Sequence, residues 1–149
     1  MLTRWKPVLI VDDSASMCTI MKNILVSLGF PDIRVCQTAV AAINALKIRD
    51  YGFVICDVEM EPINGRGFVR MMRRDNLLRD VPVILTTSNT ALVLDIFNEG
   101  APFPANGFIL KPFKASDLKV KLAEVLEASY QRKDLLPDHL GRLNGFELA

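Results

Sequence analysis

This chain has little of several things that would point to other functions. Its 149 residues include one histidine, one tryptophan and three cysteines. Cys18, Cys36 and Cys56 have neither CxxC nor metal-ligand spacing, so no zinc site or thiol redox pair is expected. They read as small core hydrophobes kept reduced, with the cytoplasm as the expected location. No stretch approaches the ~20 apolar residues of a membrane span, and the run Val8 to Val11 is too short for a signal peptide. The formal net charge is +1, without the basic excess that would suggest nucleic acid and without a long acidic tract. Internal repeats and low-complexity segments are also missing. No glycine-rich loop follows the first apolar run, which excludes a dinucleotide-binding reading.

What is present is a set of short, continuous apolar runs. Val8-Leu9-Ile10-Val11, Ile33-Arg34-Val35-Cys36, Phe53-Val54-Ile55-Cys56, Val81 to Thr87 and Gly107 to Leu110 read as strands. Runs with so few polar breaks suit strands buried on both faces, as in a parallel sheet under helices. Between them lie helical patterns: Ala15 to Leu28, stopped by Gly29 and capped by Ser14, then Ala39 to Ile48. A third ends at about Arg74, a fourth spans Ala91 to Glu99, and a last runs from about Ser116 to Tyr130. Five strands alternating with five helices predict an α/β fold, a doubly wound five-stranded parallel sheet. Length alone predicts one domain.

The strand ends carry the chemistry. The first run delivers Asp12 and Asp13, the third Asp57, the fourth Thr87 and the fifth Lys111. In a parallel sheet these all project from one edge, where ligands of open α/β sheets bind. Crowded carboxylates repel one another unless a cation joins them. A hard divalent ion such as Mg²⁺, held by carboxylates, water and phosphate oxygens, is the natural guest. A hydroxyl and an ammonium are what a phosphoryl group would take from the protein.

Val11-Asp12-Asp13-Ser14, the Asp57 strand, Met60 to Gly65, Thr87 and Lys111-Pro112-Phe113, in order and at these intervals, resemble the receiver domain of two-component response regulators. The likeness is to CheY-like, single-domain members. It covers roughly residues 5 to 130, assigning 1–130 to the receiver and 131–149 to a tail, disordered or docking. The resemblance implies a flavodoxin-like strand order 2-1-3-4-5. It implies that Asp57 takes a phosphoryl group from a histidine kinase or phosphotransfer protein. Asp13 and Asp57 would bind Mg²⁺ directly, with the backbone carbonyl of Glu59, and Asp12 through water. Lys111, set by a cis Lys111-Pro112 bond, would contact the phosphoryl oxygens with Thr87 and Ser88. Thr87 and Phe108 would form the switch to an output face of fourth helix, fifth strand and fifth helix, where a downstream protein binds. Such a protein is a phosphoacceptor that catalyses only its own phosphorylation and dephosphorylation, with neither nucleic acid nor membrane as partner.

Other readings fit less well. A haloacid-dehalogenase-type phosphatase needs Asp-x-Asp, where this chain has Asp57-Val58-Glu59. A receiver-like binding module that is never phosphorylated should lack an acid, the threonine or the lysine, and all are present. There are departures from the family pattern. Glu61 stands where proline is commonest, and Glu59 adds charge beside an acidic site, either tuning it or facing solvent. Gly67 weakens the third helix by about 1 kcal/mol relative to alanine. Phe108 replaces the frequent switch tyrosine. Lys114 replaces a hydroxyl cap, which passes the expected cap to Ser116. The segment Gly100 to Gly107 cannot continue a helix through Pro102 and Pro104. That altered face argues for a partner other than a flagellar motor. Leu136, Leu140 and Leu143 keep helical spacing in the tail, but Gly141 and Gly145 oppose a helix, and His139 there reads as exposed.

Overall fold

A computed structural model describes residues 6–98 and 105–128. The expected behaviour of the tail, of His139 and of residues 100–104 lies outside the described residues. The order is β1 (Val8–Val11), α1 (Ala15–Ser27), β2 (Ile33–Cys36), α2 (Ala39–Ile48), β3 (Phe53–Asp57), α3 (Gly65–Arg74), β4 (Val83–Thr87), α4 (Thr90–Asn98), β5 (Gly107–Leu110) and α5 (Ala115–Ala128). All pairings are parallel, in the order β2-β1-β3-β4-β5. The expected doubly wound sheet is present, with β3 in the middle. Among the described residues, no helix is long and apolar enough to cross a membrane.

Alternation along each strand sends side chains to two apolar layers. Leu9 and Val11 of β1, Val54 and Cys56 of β3, and Val83 and Leu85 of β4 join Ala42, Leu46, Phe68 and Met72 from α2 and α3. Val8, Ile10, Phe53, Ile55 and Ile84 join Met21 and Leu25 of α1 and Leu118 and Leu122 of α5. Phe30 meets Phe53 edge to face, ring centroids 5.2 Å apart. Every residue of β1, β3 and β4 is buried, which is why these strands carry unbroken apolar runs.

Several boundaries differ from the sequence expectation by a residue or two, and two of the differences have a clear physical reason. The fourth strand begins at Val83 rather than Val81, because Pro82 has no N–H to give the ladder. Val83 N–H instead donates to the Asn106 side chain at 2.8 Å. Arg73 Nη2 reaches the same Asn106 oxygen at 2.9 Å, and its Nη1 reaches the carbonyls of Arg79 and Val81 at 2.9 and 2.8 Å. This cluster ties the end of α3 to the entry of β4 and β5. The last helix begins at Ala115, so Ser116 lies inside it and is not its cap. The Lys114 N–H donates to Asp117 Oδ2 at 2.8 Å, half of a capping box read backwards from the third helical position. Ser14 caps α1 as expected, and Gly29, at φ 97°, stops it in the left-handed region.

Candidate functional site

Asp57 is the last residue of β3, and its neighbours decide its chemistry. Its backbone pairs in register with Thr86, and Val11, one residue before Asp12, pairs with Cys56. The acidic ends of β1 and β3 are therefore side by side. One carboxylate oxygen from each of Asp12, Asp13 and Asp57 lies within 4.8 Å of the others. Asp12 and Asp57 are each 6% exposed, whereas Asp13 is open to solvent. Lys111, from the loop after β5, places Nζ 2.9 Å from Asp57 Oδ1 and 3.8 Å from Asp12 Oδ2. Both Lys111-Pro112 and Glu61-Pro62 are cis, the second unforeseen in the sequence.

The electrostatics follow from crowding and burial. Burial pushes the Asp57 carboxyl above the usual range, against the opposing pull of Lys111. Burial does the same to Asp12, which the Ser14 N–H at 2.9 Å and Lys111 partly offset. Burial works against the Lys111 ammonium, but pairing with Asp57 and Asp12 outweighs it and holds its pKa above the ordinary value. Three carboxylates face one ammonium here, and the site is short of positive charge. Oxygen donors at this spacing fit a hard divalent cation, and the residues present suit Mg²⁺.

The structure brings together Asp12, Asp13, Asp57 and Lys111, and sets Thr87, fully buried, at the end of the adjacent β4. Ser88 is exposed beside Lys111, in the lining of a cavity of about 440 Å³ with Met17, Ile20 and Phe113. Phe108 is partly buried against the α2/α3 layer, on the sheet face where Leu85 sits. It also lines a groove of about 700 Å³ between β5 and α5, with Val93, Leu110, Val120 and Lys121.

Three features were not read from the sequence. Glu59 does not merely face solvent: Thr87 Oγ1 donates to its Oε1 at 2.6 Å. Gly65 backs directly onto the site, since a Cβ there would lie 2.4 Å from the Asp57 carbonyl oxygen and 2.9 Å from Val58 Cα. The glycine was visible in the loop pattern, but its reason is tertiary. The cysteines are buried and free, as expected, yet two do more than fill space. Cys18 Sγ donates to the Asp12 carbonyl at 3.2 Å and Cys56 Sγ to the Asp57 carbonyl at 3.3 Å. Burial pushes the Cys56 thiol well up and keeps it protonated for that role.

A five-stranded parallel sheet with acids, a hydroxyl and a lysine at its carboxyl edge is the build of a signalling receiver. The family model for the response regulator receiver domain matches residues 8–123, and the chain belongs to that family. It is similar to the chemotaxis protein CheY-3 of Vibrio cholerae, 36% identical over 120 residues, 80% of this chain and 91% of that protein. The chemotaxis protein CheY of Pseudomonas aeruginosa is 32% identical over 120 residues, covering 80% and 95%. A solved structure of the chemotaxis response regulator CheY4 of Vibrio cholerae superposes with TM-score 0.71 at 26% identity, covering 80% of this chain and 98% of that one. Receiver domains are phosphoacceptors of two-component signalling. They bind Mg²⁺ in an acidic pocket and exchange signals with histidine kinases and downstream effectors.

Proposed function

We propose that this receiver accepts a phosphoryl group on Asp57 from a phosphohistidine donor and reports it through the groove beside β5. The observation that carries this reading is the Lys111 ammonium 2.9 Å from the Asp57 carboxylate, at a buried strand end beside two further acids. In the transfer, an Asp57 oxygen bonds to phosphorus as the phosphorus–nitrogen bond to the donor imidazole breaks. Such a reaction asks for positioning and charge neutralisation more than for covalent help. Asp13 and Asp57, with the Glu59 carbonyl, would hold Mg²⁺ directly, and Asp12 through water. The ion, when bound, supplies the charge that lets a phosphoryl group approach the three carboxylates. Lys111 holds the Asp57 carboxylate in place and offers protons to the phosphoryl oxygens, with Thr87 and Ser88 as further donors.

The reporting surface is the groove of about 700 Å³ that Phe108, Leu110, Val120 and Lys121 line. We assign to it a partner protein as effector. Leu110 and Val120 are 42% and 56% exposed there, an apolar pair with charged neighbours at its rim. Incubation with acetyl phosphate and Mg²⁺ should add one phosphoryl group in intact-mass measurement, and Asp57→Asn should abolish it. Labelling of the mutant at the wild-type level would overturn the assignment. Absence of labelling in the folded wild type would favour a receiver-like binding module.

A further inference from the structure

The bond between Thr87 and Glu59 ties two roles to a single proton. A threonine hydroxyl has one proton to give. In this structure that proton goes to Glu59 Oε1 at 2.6 Å, while Thr87 Oγ1 itself accepts the Asn89 N–H at 3.0 Å. A phosphoryl group on Asp57 offers only acceptor oxygens, so it competes for the proton that Thr87 now gives to Glu59. The two anions compete for one donor, and the carboxylate has it first.

The bond is also connected to the rest of the molecule. Thr87 is fully buried, and its carbonyl accepts the Lys111 N–H at 2.8 Å. Asn89 Oδ1 accepts the Leu92 N–H at 3.1 Å, in the first turn of α4. A chain of hydrogen bonds thus runs from Glu59 in the loop after β3, through Thr87 and Asn89, to the start of α4. Val93 of α4 lines the groove assigned to the effector. Any movement of the Thr87 hydroxyl away from Glu59 therefore also moves the acceptor of the Asn89 N–H, at the start of α4.

We propose that Glu59 is a positioning residue that latches the unphosphorylated state by holding the Thr87 hydroxyl proton until a phosphoryl group on Asp57 displaces it. The proposal rests on Asp57 as the phosphoacceptor. A ligand shifts a two-state equilibrium only by its differential contacts, and a competent state populated at a small fraction lowers the apparent affinity by that fraction. A hydrogen bond to a charged acceptor is strong enough to set that fraction at about one in ten.

The test uses the full chain with Mg²⁺ and beryllofluoride, a phosphoryl mimic. Glu59→Ala should bind the mimic about tenfold more tightly than wild type, and Glu59→Gln by less, because a neutral amide oxygen still accepts. In a Thr87→Val background the gain from Glu59→Ala should disappear. A gain of equal size there would mean simple charge repulsion and would overturn the latch. Amide resonances from Thr87 to Leu92 in unliganded Glu59→Ala should move along the line joining the free and mimic-bound wild-type positions. Resonances that stay at the free wild-type positions would also overturn it. Failure of wild type to bind the mimic overturns the phosphoacceptor reading itself. Wild-type binding with an unchanged Glu59→Ala affinity overturns the latch alone.

Discussion

At the scale of single residues, Gly65 shows how a close approach outranks local propensity. It opens α3, and helix propensity alone says alanine there should be better by about 1 kcal/mol. The space says otherwise, since an added Cβ would lie 2.4 Å from the Asp57 carbonyl oxygen. That neighbour is backbone and cannot swing aside, so either α3 or the end of β3 must shift. Overpacking of this kind costs about 1–3 kcal/mol. Gly65→Ala is thus expected to lower stability by about 2 kcal/mol in urea unfolding and to slow phosphorylation of Asp57. A more stable protein would show that the loop yields freely. Gly67 is the contrast, since its closest neighbour is the Ile63 side chain at 3.1 Å, which is free to adjust.

At the scale of elements, the start of α5 separates a residue's type from its place. Ser116 has the hydroxyl of a good cap but lies two residues past the cap position, inside the helix. Asp117 does the work instead, its carboxylate taking the Lys114 N–H at 2.8 Å near the positive end of the helix dipole. Asp117→Ala should cost about 1 kcal/mol in the midpoint of urea unfolding, while Ser116→Ala should change it by less than about half of that. Equal effects of the two would reject this capping scheme. The cost matters for output, because Asp117 also borders the groove beside β5.

At the scale of the whole molecule, the acidic edge holds like charges together at the top of the central strands. Folding gathers Asp12, Asp13 and Asp57 within 4.8 Å, and the unfolded chain does not. A cation that binds only the folded state stabilises it by mass action, about 2.7 kcal/mol at a hundredfold excess over its dissociation constant. Excess Mg²⁺ should therefore raise the melting temperature by several degrees. Asp13→Asn should remove most of that rise and Asp12→Asn less, because Asp13 is assigned the direct contact. The same substitutions should raise the melting temperature of the metal-free protein by relieving repulsion. A melting temperature indifferent to Mg²⁺ would refute the cation site.

Much of this architecture was legible in order along the chain. Strands buried on both faces must be almost wholly apolar, so β1, β3 and β4 appeared as unbroken runs with their reactive side chains at one end. Helix faces and ends, such as the Ser14 cap and the Gly29 stop, were equally local, and local interactions are written in neighbouring residues. The resemblance to receivers supplied what periodicity could not, the strand order and the role expected of each acid. Only the tertiary structure decided the contacts between segments far apart in sequence. Glu59 and Thr87 are 28 residues apart, and Arg73 and Asn106 are 33 apart. A single hydrogen bond of that kind depends on the placement of a loop against a distant strand or helix to within an ångström or so, and no pattern in either segment encodes it. Chain order specified which groups arrive at the sheet edge, whereas packing determined which acceptor holds the Thr87 proton.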